Sequence, residues 1–391
     1  MYKKFCLFFS ITFSIVLLIF SSSITCFKHA YASTKEYSAK AMILIDHKSG
    51  QILFEKNSTD KLPIASIVKL MTINLTCKQL EDGKIRLDDK VVASKKAASM
   101  GGSQVFIEEG TEYCIGDLLK SVIVSSANDA SVLLAEKIAG SEENFVNMMN
   151  AEAKRLGLDN TNYSNCTGLP ATNQFSCAKD CAVLLKEVSS YENYHRYSTI
   201  WMDKLKHNNN RETELVNTNK LIRYYEGCDG GKTGSTSEAG YCLAATAKRA
   251  NLRLIAVVLG AENGKARFAE TSNLLNYGFS NYENKQIISK NYLENDLIKI
   301  LNGRSSYVNI QPKEEIFVLT KKTEDSDDIS TKLVISQDIQ APIKQGDKLG
   351  EILVIKNSEI IAKTDIVSMD DVNKATYVDK IQTLVKNWNV A

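Results

Sequence analysis

The stretch Pro63-Ile-Ala-Ser-Ile-Val-Lys-Leu-Met-Thr72 places Ser66 three residues before Lys69, at the predicted start of a helix. Side chains at positions i and i+3 share one helix face, so the hydroxyl and the amine are predicted to be neighbours. A lysine that burial or a second cation keeps neutral can remove the proton of a serine hydroxyl and create a nucleophile. The same motif also occurs on solvated helix faces that have no catalytic role, and the motif alone does not exclude this alternative.

Two further motifs favour the catalytic interpretation. Ser126-Ala127-Asn128 lies between apolar helical stretches and supplies a hydroxyl for proton relay and an amide for contact with substrate or lysine. Lys232-Thr233-Gly234 lies just before a pair of predicted strands. There the lysine and threonine can bind a carboxylate, and the glycine lets an extended substrate lie against a strand edge. Each tripeptide is weak alone, but all three in this order are a strong signal.

The elements predicted around these motifs indicate an α+β domain. β-prone runs open it, helical periods fill its middle, and two paired strands close it, so its two ends are expected to share one sheet. The predicted strands are 41–46, 51–55, 241–247 and 252–260, and the predicted helices begin near residue 66 and span 115–139, 142–156, 176–188 and 268–277.

A second domain is predicted beyond about residue 290, where the helical period disappears. Short alternating segments take its place at 316–319, 332–335, 348–355 and 360–366, with Gly346 and Gly350 between them. This pattern indicates a small all-β domain of about 80 residues.

The N-terminus has the pattern of an export signal. Lys3 and Lys4 precede an apolar run from Phe5 to Phe20, and the small-x-small triplet Ala30-Tyr31-Ala32 follows. An uncleaved membrane anchor would need a spanning helix of about 20 apolar residues, more than this run supplies. We therefore predict a signal peptide over residues 1–32 and an exported protein.

Composition excludes several classes of function. The chain has 391 residues with 48 Lys+Arg against 46 Asp+Glu, so it lacks the positive excess of an electrostatic nucleic-acid binder. Seven cysteines remain after residue 32, an odd number that favours buried, mostly free thiols over a disulfide framework. Histidine and cysteine lack metal-ligand spacing, and we predict neither a metal nor a cofactor.

The C-terminal residues predict an amphipathic helix. Val378, Ile381, Leu384, Val385 and Trp388 recur at three- and four-residue steps. Such a helix can pack on its own domain or lie on the outer face of a membrane, and the pattern itself does not choose between the two.

Taken together, the motifs resemble those of the serine-type D-Ala-D-Ala carboxypeptidases, the low-molecular-mass penicillin-binding proteins. The likeness includes residues 63–72, 125–130 and 230–235, and the segment 341–350 is similar to the small β domain of that family. It implies a transpeptidase-like domain with an antiparallel sheet and a helical cluster over residues 33–288, a small all-β domain over 289–368, and a membrane-anchor helix over 370–391.

The resemblance also implies a role for each motif residue. Ser66 would attack the bond between two D-alanines and Lys69 would accept its proton, while Ser126 would pass a proton to the leaving D-alanine. Asn128 would orient Lys69 and the substrate amide. Lys232 and Thr233 would bind the terminal carboxylate, and Gly234 would let the substrate lie against the strand edge. The N–H groups of Ser66 and Ser235 would form the oxyanion hole. Arg267 matches a basic position in relatives, although a surface role fits it equally well.

The implied substrate is a peptidoglycan stem peptide ending in D-Ala-D-Ala, with β-lactams as covalent inhibitors, at the extracytoplasmic face of the bacterial membrane. A class A β-lactamase shares the motifs but needs a Glu-x-x-Leu-Asn pattern, which is missing between Asn128 and Lys232. The sequence leaves two more functions open. One is an endopeptidase that cleaves peptide cross-links with the same site, and the second is a non-catalytic wall-binding or β-lactam-sensing module.

Overall fold

The computed structural model describes residues 37–294, 296–323 and 328–381. The predicted signal peptide, 1–32, and the last three apolar positions of the predicted terminal helix lie outside the described residues. From Ala39 onward the described residues form one compact unit.

Sixteen strands and nine helices are assigned in this part of the chain. The strands are β1 (Ala41–Asp46), β2 (Ile52–Lys56), β3 (Lys90–Val92), β4 (Glu112–Cys114), β5 (Met202–Lys206), β6 (Glu212–Val216), β7 (Cys228–Thr236), β8 (Gly240–Arg249), β9 (Leu252–Ala261), β10 (Tyr282–Ile288), β11 (Leu297–Lys299), β12 (Tyr307–Pro312), β13 (Ile316–Lys321), β14 (Ile329–Ile335), β15 (Lys348–Lys356) and β16 (Glu359–Ser368). The helices are α1 (Lys69–Glu81), α2 (Lys95–Ala98), α3 (Ile115–Ser125), α4 (Asn128–Ala139), α5 (Glu142–Arg155), α6 (Ala178–Val188), α7 (Glu192–Ser198), α8 (Leu221–Tyr224) and α9 (Gly264–Asn281). Short 3₁₀ turns lie at Ala65–Val68 and Asn208–Asn210.

The first domain is built on one antiparallel sheet with strand order β2-β1-β9-β8-β7. Strand β1 pairs with β9 through Ala41↔Leu259 to Asp46↔Leu254, which joins the two ends of the domain as the sequence predicts. All six residues of β1 are buried, because α6 packs on one face of the central strands and α9 on the other. Burial of each large aliphatic side chain there contributes about 1.5–3 kcal/mol, so the sheet is a rigid support for its edge strand, β7.

A helical cluster packs against this sheet, and it differs from the sequence prediction at one informative point. The single helix predicted for 115–139 is two helices, α3 and α4, separated by Ser126 and Ala127. Ser126 has φ +62°, in the left-handed region, and ends α3. Neither glycine nor proline occurs at this break, and the helical period of apolar residues continues across it. The sequence pattern therefore does not reveal that the helix is interrupted.

The second domain is all-β, which confirms the predicted α+β chain with a small β domain. It contains a five-stranded sheet, β11-β12-β16-β15-β14, and a β10–β13 pair. Strand β10 belongs to this domain although it precedes the predicted boundary at residue 289. At the other end, Val372 pairs with Ile343 beyond the predicted limit of residue 368. Backbone pairing therefore extends the domain at both ends.

Of the predicted C-terminal helix, the described residues include one helical stretch at 377–381, and the remaining positions lie outside them. Tyr377, Val378 and Ile381 are all exposed there. Within the part of the chain that the structure describes, no helix is long and apolar enough to cross a bilayer.

All seven cysteines beyond residue 32 are free thiols, as the odd number suggested. Six are buried, and Cys114 is half-buried. Burial raises the pKa of the Cys177 thiol to about 11, and it also raises the pKa of Cys166. The thiolate is the reactive form of cysteine, so the raised pKa values make Cys177 and Cys166 poorly reactive.

Candidate active site

The centre of the candidate site is the pair formed by Ser66 and Lys69 where the 3₁₀ turn runs into α1. The Lys69 side chain is fully buried, and its Nζ donates a hydrogen bond to Ser66 Oγ over 3.1 Å. Burial lowers the pKa of Lys69 to about 7. An amine in this environment is neutral in a large fraction of molecules near neutral pH, so it can accept the serine proton.

The position of Lys69 depends on a second contact that the sequence does not reveal. Its Nζ also donates to the backbone carbonyl of Thr167. The side chain of Asn165 holds this segment by accepting hydrogen bonds from the N–H groups of Thr167 and Gly168, at 3.1 and 2.7 Å. Gly168 has φ +83° and lies directly against Ala65 and Ser66. The segment 165–168 thus contacts both Ser66 and Lys69.

The second motif lies at the break between α3 and α4, two helices that both pack against α1. Ser126 is buried at the end of α3, and Asn128 is the first residue of α4. The Asn128 amide donates to the carbonyl of Gly101 over 2.7 Å. Among the described residues, the hydrogen bonds of Lys69 Nζ go to Ser66 and Thr167, and none joins it to Asn128.

Asp129 is a supporting residue that the motif analysis did not single out. Its buried carboxylate accepts hydrogen bonds from the N–H groups of Val105 and Ile107. Since the neighbouring Ser103 carbonyl accepts from the N–H of Asn128, the loop that contains these residues is tied to the start of α4.

The third motif lies in strand β7, directly before the predicted strand pair, which is β8 and β9. Lys232, Thr233 and Gly234 are in β7, the edge strand of the sheet. Burial, with Lys69 and Arg267 nearby, holds the pKa of Lys232 well below its usual value. The Thr233 hydroxyl donates to Thr218 Oγ1 over 2.8 Å. A buried lysine beside a threonine hydroxyl is suited to an anionic ligand, because a bound carboxylate restores the charged form of the amine.

Gly234 allows β7 to pack closely on the serine segment. A Cβ at this position would lie 3.0 Å from Ser66 N and 2.7 Å from the carbonyl oxygen of Ile64. The strand edge therefore runs alongside the backbone N–H of Ser66, with Ser235 exposed at the next position. The backbone N–H groups of Ser66 and Ser235, if both face the substrate, can bind one oxyanion.

Arg267, for which the sequence left two roles open, lies behind this strand. Its Nη1 donates to the carbonyls of Gly234 and Cys242, at 3.2 and 3.3 Å. Burial lowers the pKa of the guanidinium. Arg267 thus adds positive charge to the end of β7 where a carboxylate would bind.

The sequence of this chain also matches two known protein families. Residues 28–263 match the family described as D-alanyl-D-alanine carboxypeptidase, and residues 282–374 match the C-terminal domain of penicillin-binding protein 5. The chain belongs to the D-alanyl-D-alanine carboxypeptidase family.

Several members of the carboxypeptidase family are similar over most of their length. D-alanyl-D-alanine carboxypeptidase DacF of Bacillus subtilis is 40% identical over 352 residues, which is 90% of each chain. The crystal structure of penicillin-binding protein 5 from Haemophilus influenzae has a TM-score of 0.67 at 30% identity and covers 87% of this chain and 98% of its own. The crystal structure of a peptidoglycan synthesis regulatory factor, PBP3, from Streptococcus pneumoniae has a TM-score of 0.73 at 26% identity and covers 86% of this chain and 100% of its own. Both domains of this family member are therefore represented in solved structures.

Proposed function

We propose that this protein hydrolyses the peptide bond between the two D-alanines of a stem peptide through an acyl-enzyme on Ser66. The observation that carries the proposal is the 3.1 Å hydrogen bond from the buried Lys69 amine to the Ser66 hydroxyl. A carboxypeptidase must also recognise a free carboxylate, and Lys232, Thr233 and Arg267 supply the groups for it at the adjoining strand edge.

Acylation begins when neutral Lys69 takes the proton of Ser66 Oγ, which attacks the carbonyl carbon. The substrate lies along the edge of β7, with its terminal carboxylate on Lys232 and Thr233. The N–H groups of Ser66 and Ser235 bind the oxyanion of the tetrahedral intermediate. The charge on this oxyanion develops only during the reaction, so these two N–H groups favour the transition state over the bound substrate.

The C–N bond then breaks, and Ser126 passes a proton to the leaving D-alanine. Asn128 orients the substrate amide from the start of α4. Water hydrolyses the resulting ester and restores Ser66. A β-lactam acylates the same oxygen, because its strained amide presents a carbonyl and a carboxylate to the same groups.

The test is release of D-alanine from a synthetic peptide ending in D-Ala-D-Ala, beside the same peptide ending in L-Ala-L-Ala. We expect release from the D,D-peptide alone, together with covalent labelling of the protein by a fluorescent penicillin. If penicillin labelled the protein but no D-alanine were released from the D,D-peptide, the proposed carboxypeptidase activity would be rejected. A β-lactam-binding module would then be the remaining function.

The pH dependence of acylation follows from the environment of Lys69. Protonated Lys69 cannot act as a base, and burial lowers its pKa to about 7. The rate of acylation by saturating penicillin is therefore expected to rise about tenfold between pH 6 and pH 8 and then level off. Stopped-flow measurement of labelling checks this. A rate that is constant or falling over that interval would contradict a neutral lysine base.

We further propose that the protein is exported and attached to the outer face of the membrane by its C-terminal helix. Exposed Tyr377, Val378 and Ile381 at the start of that helix support an apolar face. The Thr376 N–H donates to Asp379 over 2.9 Å, which caps the helix start.

Removal of the residues after Ala375 is expected to release the protein from membranes without loss of D-alanine release. This end point is chosen because the Ala375 N–H still donates to the carbonyl of Asn302, so the β domain keeps its pairing. Fractionation of cells that express the full and shortened chains measures the difference. Equal membrane association of the two chains would reject the anchor.

A further inference from the structure

The start of β7 is held by a tyrosine from the helical cluster. Tyr194 lies in α7, and its side chain is fully buried. Its hydroxyl oxygen accepts a hydrogen bond from the backbone N–H of Gly231 over 2.6 Å. Gly231 directly precedes Lys232, which is proposed to bind the substrate carboxylate. A side chain outside all three motifs is therefore bonded to the residue next to the carboxylate-binding lysine.

Two glycines allow this close approach of α7 to β7. A Cβ at Gly230 would lie 2.6 Å from the Tyr194 hydroxyl oxygen. Gly231 has φ +136°, a conformation that residues with a side chain rarely adopt, and a Cβ there would overlap the carbonyl oxygen of Ala244. The glycine pair before the Lys-Thr-Gly motif is thus explained by the tyrosine contact on one side and by β8 on the other.

Two more side chains hold the same segment of backbone. The Asn219 amide donates to the carbonyl of Gly230 over 3.2 Å, and the Ser198 hydroxyl donates to the carbonyl of Asp229 over 2.6 Å. The β7–β8 register shifts at Asp229, so the ladder is interrupted there. Hydrogen bonds from side chains therefore support the backbone that leads into Lys232, in place of regular strand pairing.

The tyrosine contact also ends the free edge of β7. The Gly231 N–H is bound by α7 rather than by β8, so it faces the open side of the strand. The register with β8 is continuous over residues 230–236, and the N–H groups of alternate residues in a regular strand face the same side. The N–H groups of Thr233 and Ser235 therefore face the open side too. A substrate chain can pair with these two positions, but Tyr194 occupies the next one.

We propose that Tyr194 is a positioning residue that sets the recognition of a terminal carboxylate. It holds Lys232 in place through the Gly231 N–H, and it closes the strand edge directly beyond the point where the substrate chain ends. The inference rests on the proposed function, because that function assigns the carboxylate to Lys232 and Thr233. Tyr194 takes no part in proton transfer, so acylation by a substrate without a carboxylate does not depend on it.

The experiment compares two thioesters that carry the same N-acetyl-D-alanyl group. The leaving group of one is thioglycolate, which ends in a carboxylate, and that of the other is the corresponding neutral carboxamide. Both give the same acyl-enzyme on Ser66, so their deacylation is identical and the difference between them reports the carboxylate. Release of free thiol measures kcat/KM. We expect the wild-type full chain to prefer the carboxylate by about thirtyfold.

The variant that tests the contact is Tyr194→Phe, which removes the hydroxyl and keeps the ring. The Gly231 N–H then loses its partner, and Lys232 is held less well. We expect the preference for the carboxylate to fall about fivefold, through a raised KM of the carboxylate thioester. The kcat/KM of the carboxamide should stay within about twofold of the wild type. A merely structural role would lower both thioesters alike.

Tyr191→Phe is the matched control. Tyr191 is also buried, it lies three residues before Tyr194, and its hydroxyl makes no hydrogen bond among the described residues. This variant should keep the full preference. Ser198→Ala removes the bond to the Asp229 carbonyl and should lower the preference about threefold. It tests the same segment if the Tyr194→Phe protein does not fold.

The outcomes separate this inference from the proposed function. The role of Tyr194 is overturned if Tyr194→Phe keeps the preference, if it loses both thioesters equally, or if Tyr191→Phe shows the same loss. If Tyr194→Phe does not fold, an unchanged preference in Ser198→Ala overturns it instead. D-alanine release by the wild type still supports the carboxypeptidase in each of these cases. A wild type that releases no D-alanine and cleaves neither thioester would overturn both proposals.

Discussion

Replacement of Ser66 by alanine is expected to lower D-alanine release by more than about 10⁴-fold and to abolish covalent labelling by penicillin. The reason is chemical, since the bond to the substrate carbonyl is made by Oγ, and alanine has no atom that can take its place. Substrate binding through Lys232 and Thr233 is left intact. Mass spectrometry of the protein after exposure to penicillin measures the adduct directly.

The matched control for this substitution is Ser125→Ala. Ser125 is partly buried and lies next to the second motif, but its hydroxyl has no hydrogen-bond partner among the described residues. Its loss should leave both release and labelling within about twofold of the wild type. Stoichiometric labelling of the Ser66→Ala protein would show that another residue is the nucleophile.

Replacement of Gly168 by alanine is expected to slow acylation by at least about a hundredfold although Gly168 touches no substrate. The added Cβ would overlap the carbonyl oxygen of Ala65 and lie 2.9 Å from Ser66 Cα. Because these are backbone atoms, the clash can be relieved only by moving Ser66 or the segment that accepts the Lys69 hydrogen bond. The rate of penicillin labelling measures the loss, and circular dichroism verifies that the fold is retained.

Gly157→Ala separates the steric clash from backbone strain. Gly157 also has a positive φ, +69°, but a Cβ there would meet no atom within 4 Å. Both substitutions force alanine into the left-handed region, which costs about 1 kcal/mol of stability in each case. If the two variants acylated at the same rate, the contact between Gly168 and the serine segment would have no role in catalysis.

Much of the fold was predictable because its elements carry strong local patterns. The apolar runs of β1 and β9 predicted these two strands, and the predicted helix ends at residues 139 and 156 lie within one residue of the ends of α4 and α5. Lys69 and Ser66 were predicted to be neighbours from helical spacing alone, and the hydrogen bond between them confirms it.

Other parts of the site depend on features that a residue pattern does not encode. The Thr167 contact uses a backbone carbonyl, which every residue type supplies. The break at Ser126 requires a left-handed serine inside an otherwise helical period, where tertiary contacts override local propensity. The lowered pKa values of Lys69 and Lys232 arise from burial, which exists only after folding.

The pairing of β1 with β9 has a consequence for how the protein acquires its reactivity. These strands come from opposite ends of the first domain, and β9 also joins β1 to β8, which in turn holds β7. Contacts between distant parts of a chain form slowly, because closing the long intervening loop costs conformational entropy before the contacts are made. A growing chain that stops before Leu252 lacks the strand that brings Lys232 to Ser66. The edge strand that contains Lys232 is therefore supported beside Ser66 only after β9 has been made and paired, and an incomplete or unfolded chain should be inert towards acylating compounds.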